Sequence, residues 1–152
     1  MAYEKGTAQT FHAFAICAGA LQEVGWVKPL SFDLVGSMYI VGEGQDVDVL
    51  ALVQVLGNND IQDLQIEGWE YGGSIPEEGC GDNWISLKKK DINLLVTSDK
   101  EYYDKWITAA EVCKYLQDSG IVLTKRQRVS VHSIIMDDST ASIETKGKDY
   151  WG

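Results

Sequence analysis

Residues 46–56, DVDVLALVQVL, constrain this chain more than any other segment. The run is rich in Val and Leu and reads as a strand, with Gly-rich punctuation just before it. Successive strand side chains point to opposite faces, so Asp46 and Asp48 share one face while Val47 and Val49 share the other. Two carboxylates about 7 Å apart on one strand face repel each other, which is destabilising unless a cation sits between them. Hard oxygen donors of this kind select Mg2+ or Mn2+.

The flanking segments extend this pattern. SFDLVGSMYIVG, residues 31–42, reads as the preceding strand, and eight residues separate its Gly36-Ser37 from Asp46. A strand followed by Gly-Ser in a tight turn offers backbone N–H groups and a hydroxyl to a triphosphate. Further on, WISL and INLLVTS read as two strands joined like a hairpin through Lys88, Lys89 and Lys90. Asp91 opens the second of them and supplies a third acidic position. Asn93, two residues on and on the same face, is its rival, because Asp91 can fall in the turn after the lysines.

Helical spacing organises the rest. Phe11, Phe14, Ala15, Ala18 and Leu21 form one face of an expected first helix, with Thr10 as its N-cap and Gly25 past its end. NNDIQDLQIEG suits a short helix with Ile61, Leu64 and Gln65 on one face. Tyr103, Trp106, Ile107, Ala110, Cys113 and Leu116 mark the clearest helix, capped by Asp99 or Ser98 and ended by Gly120. A last helix runs through KRQRVSVHSIIM. The order helix, strand, strand, helix, strands, helix, helix predicts an α/β fold of mixed α+β type, a small mixed sheet with helices packed on it. The expected organisation is one domain over 1–136 and a mobile tail over 137–152, where periodicity is lost.

Composition removes several classes of function. With 13 basic and 23 acidic residues the net charge is −10, the wrong sign for a protein that wraps duplex DNA through its phosphates. No apolar run approaches the roughly 20 residues of a membrane helix, and MAYEKGTAQT lacks the order of a signal peptide. Three widely spaced cysteines and two histidines are poor material for a zinc site, and Cys17 and Cys113 read as core residues. A cytoplasmic chain with reduced thiols is expected. Trp69, Trp84 and Trp106 are assigned to the core or its edge. Tyr71, in a Gly-rich connection, is kept for stacking on a nucleobase. Lys88, Lys89 and Lys90, directly before Asp91, are the candidates for phosphate contact, ahead of the Lys125, Arg126 and Arg128 cluster.

The ordered pattern of Gly36-Ser37, then Asp46 and Asp48, then a later acidic strand resembles the polymerase-beta-type nucleotidyltransferase superfamily. The stretch from GWEYGGS to DKWITAAEVCKYL is similar to small nucleotidyltransferase-like proteins of bacteriophages. The resemblance spans roughly residues 32–136. It implies that Asp46, Asp48 and Asp91 hold two Mg2+ ions, and that NMP passes from an NTP to a hydroxyl of an RNA, protein or small-molecule acceptor. For a phage-encoded chain the location would be the host cytoplasm. The spacing from Gly-Ser to the first Asp is short for that family, and MYIVGEGQ carries no basic residue. These departures and the acidic surface motivate an alternative, a catalytically silent nucleotidyltransferase fold that binds a nucleotide or a host protein as an inhibitory module.

Overall fold

A computed structural model describes residues 2–71 and 84–136, with side chains from residue 8 onward. The tail expected to be mobile, residues 137–152, lies outside the described residues, as do Cys80 and most of the Gly-rich connection. The elements are α1 (Ala2–Gln22), β1 (Val27–Val35), α2 (Gly36–Ile40), β2 (Val47–Val55), a 3-10 turn at Ile61–Asp63, β3 (Glu70–Tyr71), β4 (Trp84–Lys89), β5 (Ile92–Thr97), α3 (Lys100–Asp118) and α4 (Lys125–Ile135). This is a mixed α+β fold built on a five-stranded sheet in the order β1-β2-β5-β4-β3. β2 and β5 are parallel, and the other neighbours are antiparallel. The chain divides after Tyr103, within the first turn of α3, into two compact units.

In the first unit the alternation of strand residues builds the core. Val47, Val49, Ala51 and Val53 of β2, Ile92, Leu94 and Val96 of β5, and Ile85 and Leu87 of β4 all point to one side. There they meet Ala13, Cys17 and Leu21 of α1. The other side of β2 carries Asp48, then Leu50 and Leu52, and both leucines are buried. A central strand buried on both faces requires this apolar run from Val49 to Val53, with polar residues only near its ends, at Asp48 and Gln54. Asp33 on β1 accepts a hydrogen bond from the Tyr103 hydroxyl, which ties the first turn of α3 to the edge of the sheet.

Several expected elements shift. The first helix starts near residue 2 and ends at Gln22, so Thr10 lies inside it and Gly25 beyond it. Its buried stripe is Ala13, Cys17 and Leu21 rather than one through Phe11, which is 68% exposed. The segment SFDLVGSMYIVG is strand only to Val35, after which Gly36–Ile40 turns as a short helix. The segment at 58–68 is helical for three residues, and Ile66 rather than Gln65 joins Ile61 and Leu64 inside. The hairpin of β4 and β5 forms as expected, with Lys90 at φ 54 in its turn.

The second unit holds the rest of α3 and α4. Gly120, at φ 93, ends α3 with Gly120 N–H donating to Gln117 O and Ile121 N–H to Leu116 O, a Schellman closure. Thr124 and Gln127 cap α4 reciprocally. Trp106 meets His132 edge to face at 4.6 Å, and the Arg128 guanidinium donates to Leu123 O at 3.1 Å. The acidic character is confined to the first unit, which has 16 acidic and 6 basic residues, against 7 of each after Tyr103.

Burial pushes the Cys17 thiol from its ordinary 9.0 up to about 12. The unfolded chain releases this proton above about pH 9 and the folded chain keeps it, so the stabilisation present below pH 9 is lost as pH rises toward 12. Urea unfolding between pH 7 and 11 should show Cys17→Ala losing stability less steeply above pH 9 than the parent chain. Equal slopes would contradict a buried, protonated Cys17.

Candidate functional site

The start of β2 brings four polar side chains together on the sheet face opposite α1. The parallel register sets Asp48 beside Asn93, and the antiparallel register of the hairpin sets Asn93 beside Lys88. Asn93 Nδ2 donates to Asp48 Oδ1 at 2.8 Å. The Lys88 ammonium reaches across β5 to Asp46 Oδ2 at 3.4 Å. One carboxylate is thus countered by a neutral amide on the next strand, and the other by a cation two strands away.

Gly36 closes the fourth side. The antiparallel pairing of Val35 with Asp48 delivers the chain into a turn directly over that carboxylate. Gly36 adopts φ 74, and a Cβ there would lie 2.8 Å from Asp48 Cγ and closer still to Oδ2. Only glycine meets both demands, a left-handed backbone and contact with a carboxylate. Ser37 follows in the first turn of α2, where its carbonyl accepts from Val41 N–H at 2.8 Å.

The other candidates lie elsewhere. Asp91 stands exposed in the hairpin turn. Its carbonyl accepts from Val47 N–H at 2.8 Å, which begins the β2–β5 pairing, while its carboxylate accepts from Gln9 Nε2 of α1 at 3.3 Å. The position facing Asp48 belongs to Asn93. Lys89, by alternation, points to the opposite side from Lys88, and Lys90 occupies the turn. Tyr71 is in β3 and packs against the α1-side core, on the face away from Asp48. Among the described residues no three His, Cys, Asp or Glu side chains gather as a metal-holding group.

The Lys88–Asp46 pair was not anticipated from sequence, although the signal was present. A hairpin turn confined to Lys90 and Asp91 fixes Lys89 opposite Ile92 and Lys88 opposite Asn93, and so singles out one lysine of the three. The Asp33–Tyr103 bond has no comparable local signature, because its partners are 70 residues apart.

The donor set can be weighed against the ions that the sequence pattern implies. Two carboxylates with an amide beside them suit one Mg2+, which keeps several waters and takes phosphate oxygens as further ligands. They do not suit two ions about 4 Å apart, because a neutral amide stands where a third charge would be needed. No protein-family model, curated protein or solved structure matches this chain. Among the described residues no helix is long and apolar enough to cross a membrane.

Two substitutions test the geometry. Gly36→Ala should cost about 2–4 kcal/mol in urea unfolding, from backbone strain together with the clash at Asp48; a loss below about 0.5 kcal/mol would contradict the close approach. Asn93→Asp replaces a donor with a like charge and should destabilise the metal-free protein by roughly 1–3 kcal/mol, with Mn2+ restoring part of the loss. A melting temperature indifferent to both the substitution and Mn2+ would show that positions 48 and 93 do not interact.

Proposed function

We propose that this chain is a nucleotidyltransferase-like module that binds a nucleoside triphosphate with one divalent cation and does not carry transfer through. The reading is supported above all by the Asp48–Asn93 hydrogen bond, in which an amide satisfies the carboxylate that a transferase would share with a second ion. Asp46 and Asp48 would hold the single Mg2+, whose charge draws phosphate oxygens to the mouth of the sheet. Asn93 fixes the orientation of Asp48, and Gly36 keeps the chain close enough for Ser37 to face the same ligand. Lys88 adds positive charge beside the acidic pair.

A second reading, active transfer of NMP to an RNA, protein or small-molecule acceptor, is favoured by the close approach of Gly36, at the head of the Gly-Ser turn, to the Asp48 carboxylate. One experiment separates the two. ATP, GTP, CTP and UTP, each labelled at the α-phosphate, are titrated against the full chain with Mg2+ or with chelator, and the products are resolved after incubation with each class of acceptor. We expect metal-dependent binding of at least one NTP, weakened about tenfold or more by Asp46→Asn or Asp48→Asn, with no label transferred. Transfer abolished by Asp48→Asn would establish the enzyme instead. Absence of metal-dependent binding for all four nucleotides would remove both readings.

A further inference from the structure

Lys88 is the one lysine of its run that shares a face with Asp46, Asp48 and Asn93. At 3.4 Å its contact with Asp46 is longer than the 2.7–2.9 Å of a tight charge-assisted hydrogen bond. Both side chains are more than a third exposed, at 43% and 36%, so the pair is screened by water and easily parted. The two carboxylates therefore differ in kind. Asp48 is held by an amide on the neighbouring strand, whereas Asp46 is held by a mobile cation on a flexible four-carbon stem.

We infer that Lys88 is an exchangeable internal cation, which neutralises Asp46 when no divalent ion is bound and moves to a phosphate oxygen when an ion takes Asp46. The inference rests on the reading of Asp46 and Asp48 as a metal–nucleotide site. Its physical basis is charge balance. Alone, the carboxylate pair carries two negative charges at the end of a strand whose remaining residues are largely buried, and Lys88 cancels one of them. An arriving divalent ion must displace the ammonium. Asp46 then releases a cation beside the place where triphosphate oxygens gather, and lysine is well suited to meet them as a point charge. The same side chain thus opposes the metal when it comes alone and assists it when it comes with a nucleotide.

Opposite signs for the two ligands make the test specific. The full chain, Lys88→Met and Lys88→Arg are titrated with Mn2+ alone, read from the spin-resonance signal of free Mn2+. They are then titrated with a non-hydrolysable ATP analogue at saturating Mn2+, read by calorimetry. Lys88→Met should bind Mn2+ about three- to fivefold more tightly, the upper range for losing an exposed ion-pair competitor. It should bind the ATP analogue about tenfold more weakly, having lost a charge-assisted contact. Lys88→Arg, which keeps the charge, should stay near the parent chain in both. A circular dichroism spectrum that overlays the parent's verifies folding, and Lys88→Gln serves if the methionine variant fails to fold. Unchanged or weaker Mn2+ binding by Lys88→Met, or unchanged nucleotide affinity, overturns the inference while the nucleotide-site reading stands. If the parent chain binds no ATP analogue, that reading fails and the inference falls with it.

Discussion

A carboxylate at the head of a central strand must find a partner. Asp48 lies between Val47 and Val49, which point into the core, on a strand whose next five residues are buried. Asp48 is itself half-buried, so leaving it without a donor or counter-ion costs part of the desolvation penalty of a buried carboxylate. The Asn93 amide supplies the donor from the strand that β2 must pair with to complete the sheet. Sheet register and site chemistry are therefore one constraint. A slip of β5 by one residue would bury Asn93 among Ile85, Leu87 and the α1 side chains, and it would turn Leu94 toward Asp48.

The same constraint gives the site its asymmetry. In a two-ion mechanism the acidic positions balance four positive charges, and each ion sees carboxylates from more than one strand. Here β2 and the residue just before it supply both carboxylates, while β5 supplies an amide and β4, two strands away, an ammonium. That set keeps a net charge of −1 in the absence of ligand, since Lys88 cancels one of the two carboxylates. With each carboxylate partnered, the sheet can fold without metal, and under the proposed reading the acidic residues at its mouth would take an ion that brings its own phosphate ligands. The excess negative charge of the chain, confined to the part before Tyr103, favours cations around this mouth and disfavours bare phosphates. A phosphate ligand would have to arrive with its metal.

Much of this was legible in the residues, and the failures have physical causes. Alternation placed Asp46 with Asp48 and placed Ile92, Leu94 and Val96 inside, because a strand's period is two wherever one face is buried. Choosing between Asp91 and Asn93 needed the turn. Lys90 adopts a left-handed backbone that its identity does not signal, and this confines Asp91 to the turn beside Gln9. The first helix was misjudged because alanines and aromatics occur on several of its faces, so its apolar residues alone do not fix its rotation. The strand-like run through Met38 and Ile40 folded as a helical turn, since Gly36 bends the chain over Asp48 before those apolar residues are reached. Tyr71 lay in a segment read as a loop, but two residues of strand pairing with β4 carry it to the core side.

The proposed function requires a single divalent ion at one end of β2. Crystals grown with Mn2+ and a non-hydrolysable NTP, with anomalous differences measured above the manganese edge, count such ions directly. One peak within about 2.0–2.6 Å of Asp46 and Asp48 oxygens, with the Asn93 amide still on Asp48, is the predicted result. Two peaks bridged by the same carboxylates, or none near them, would contradict it.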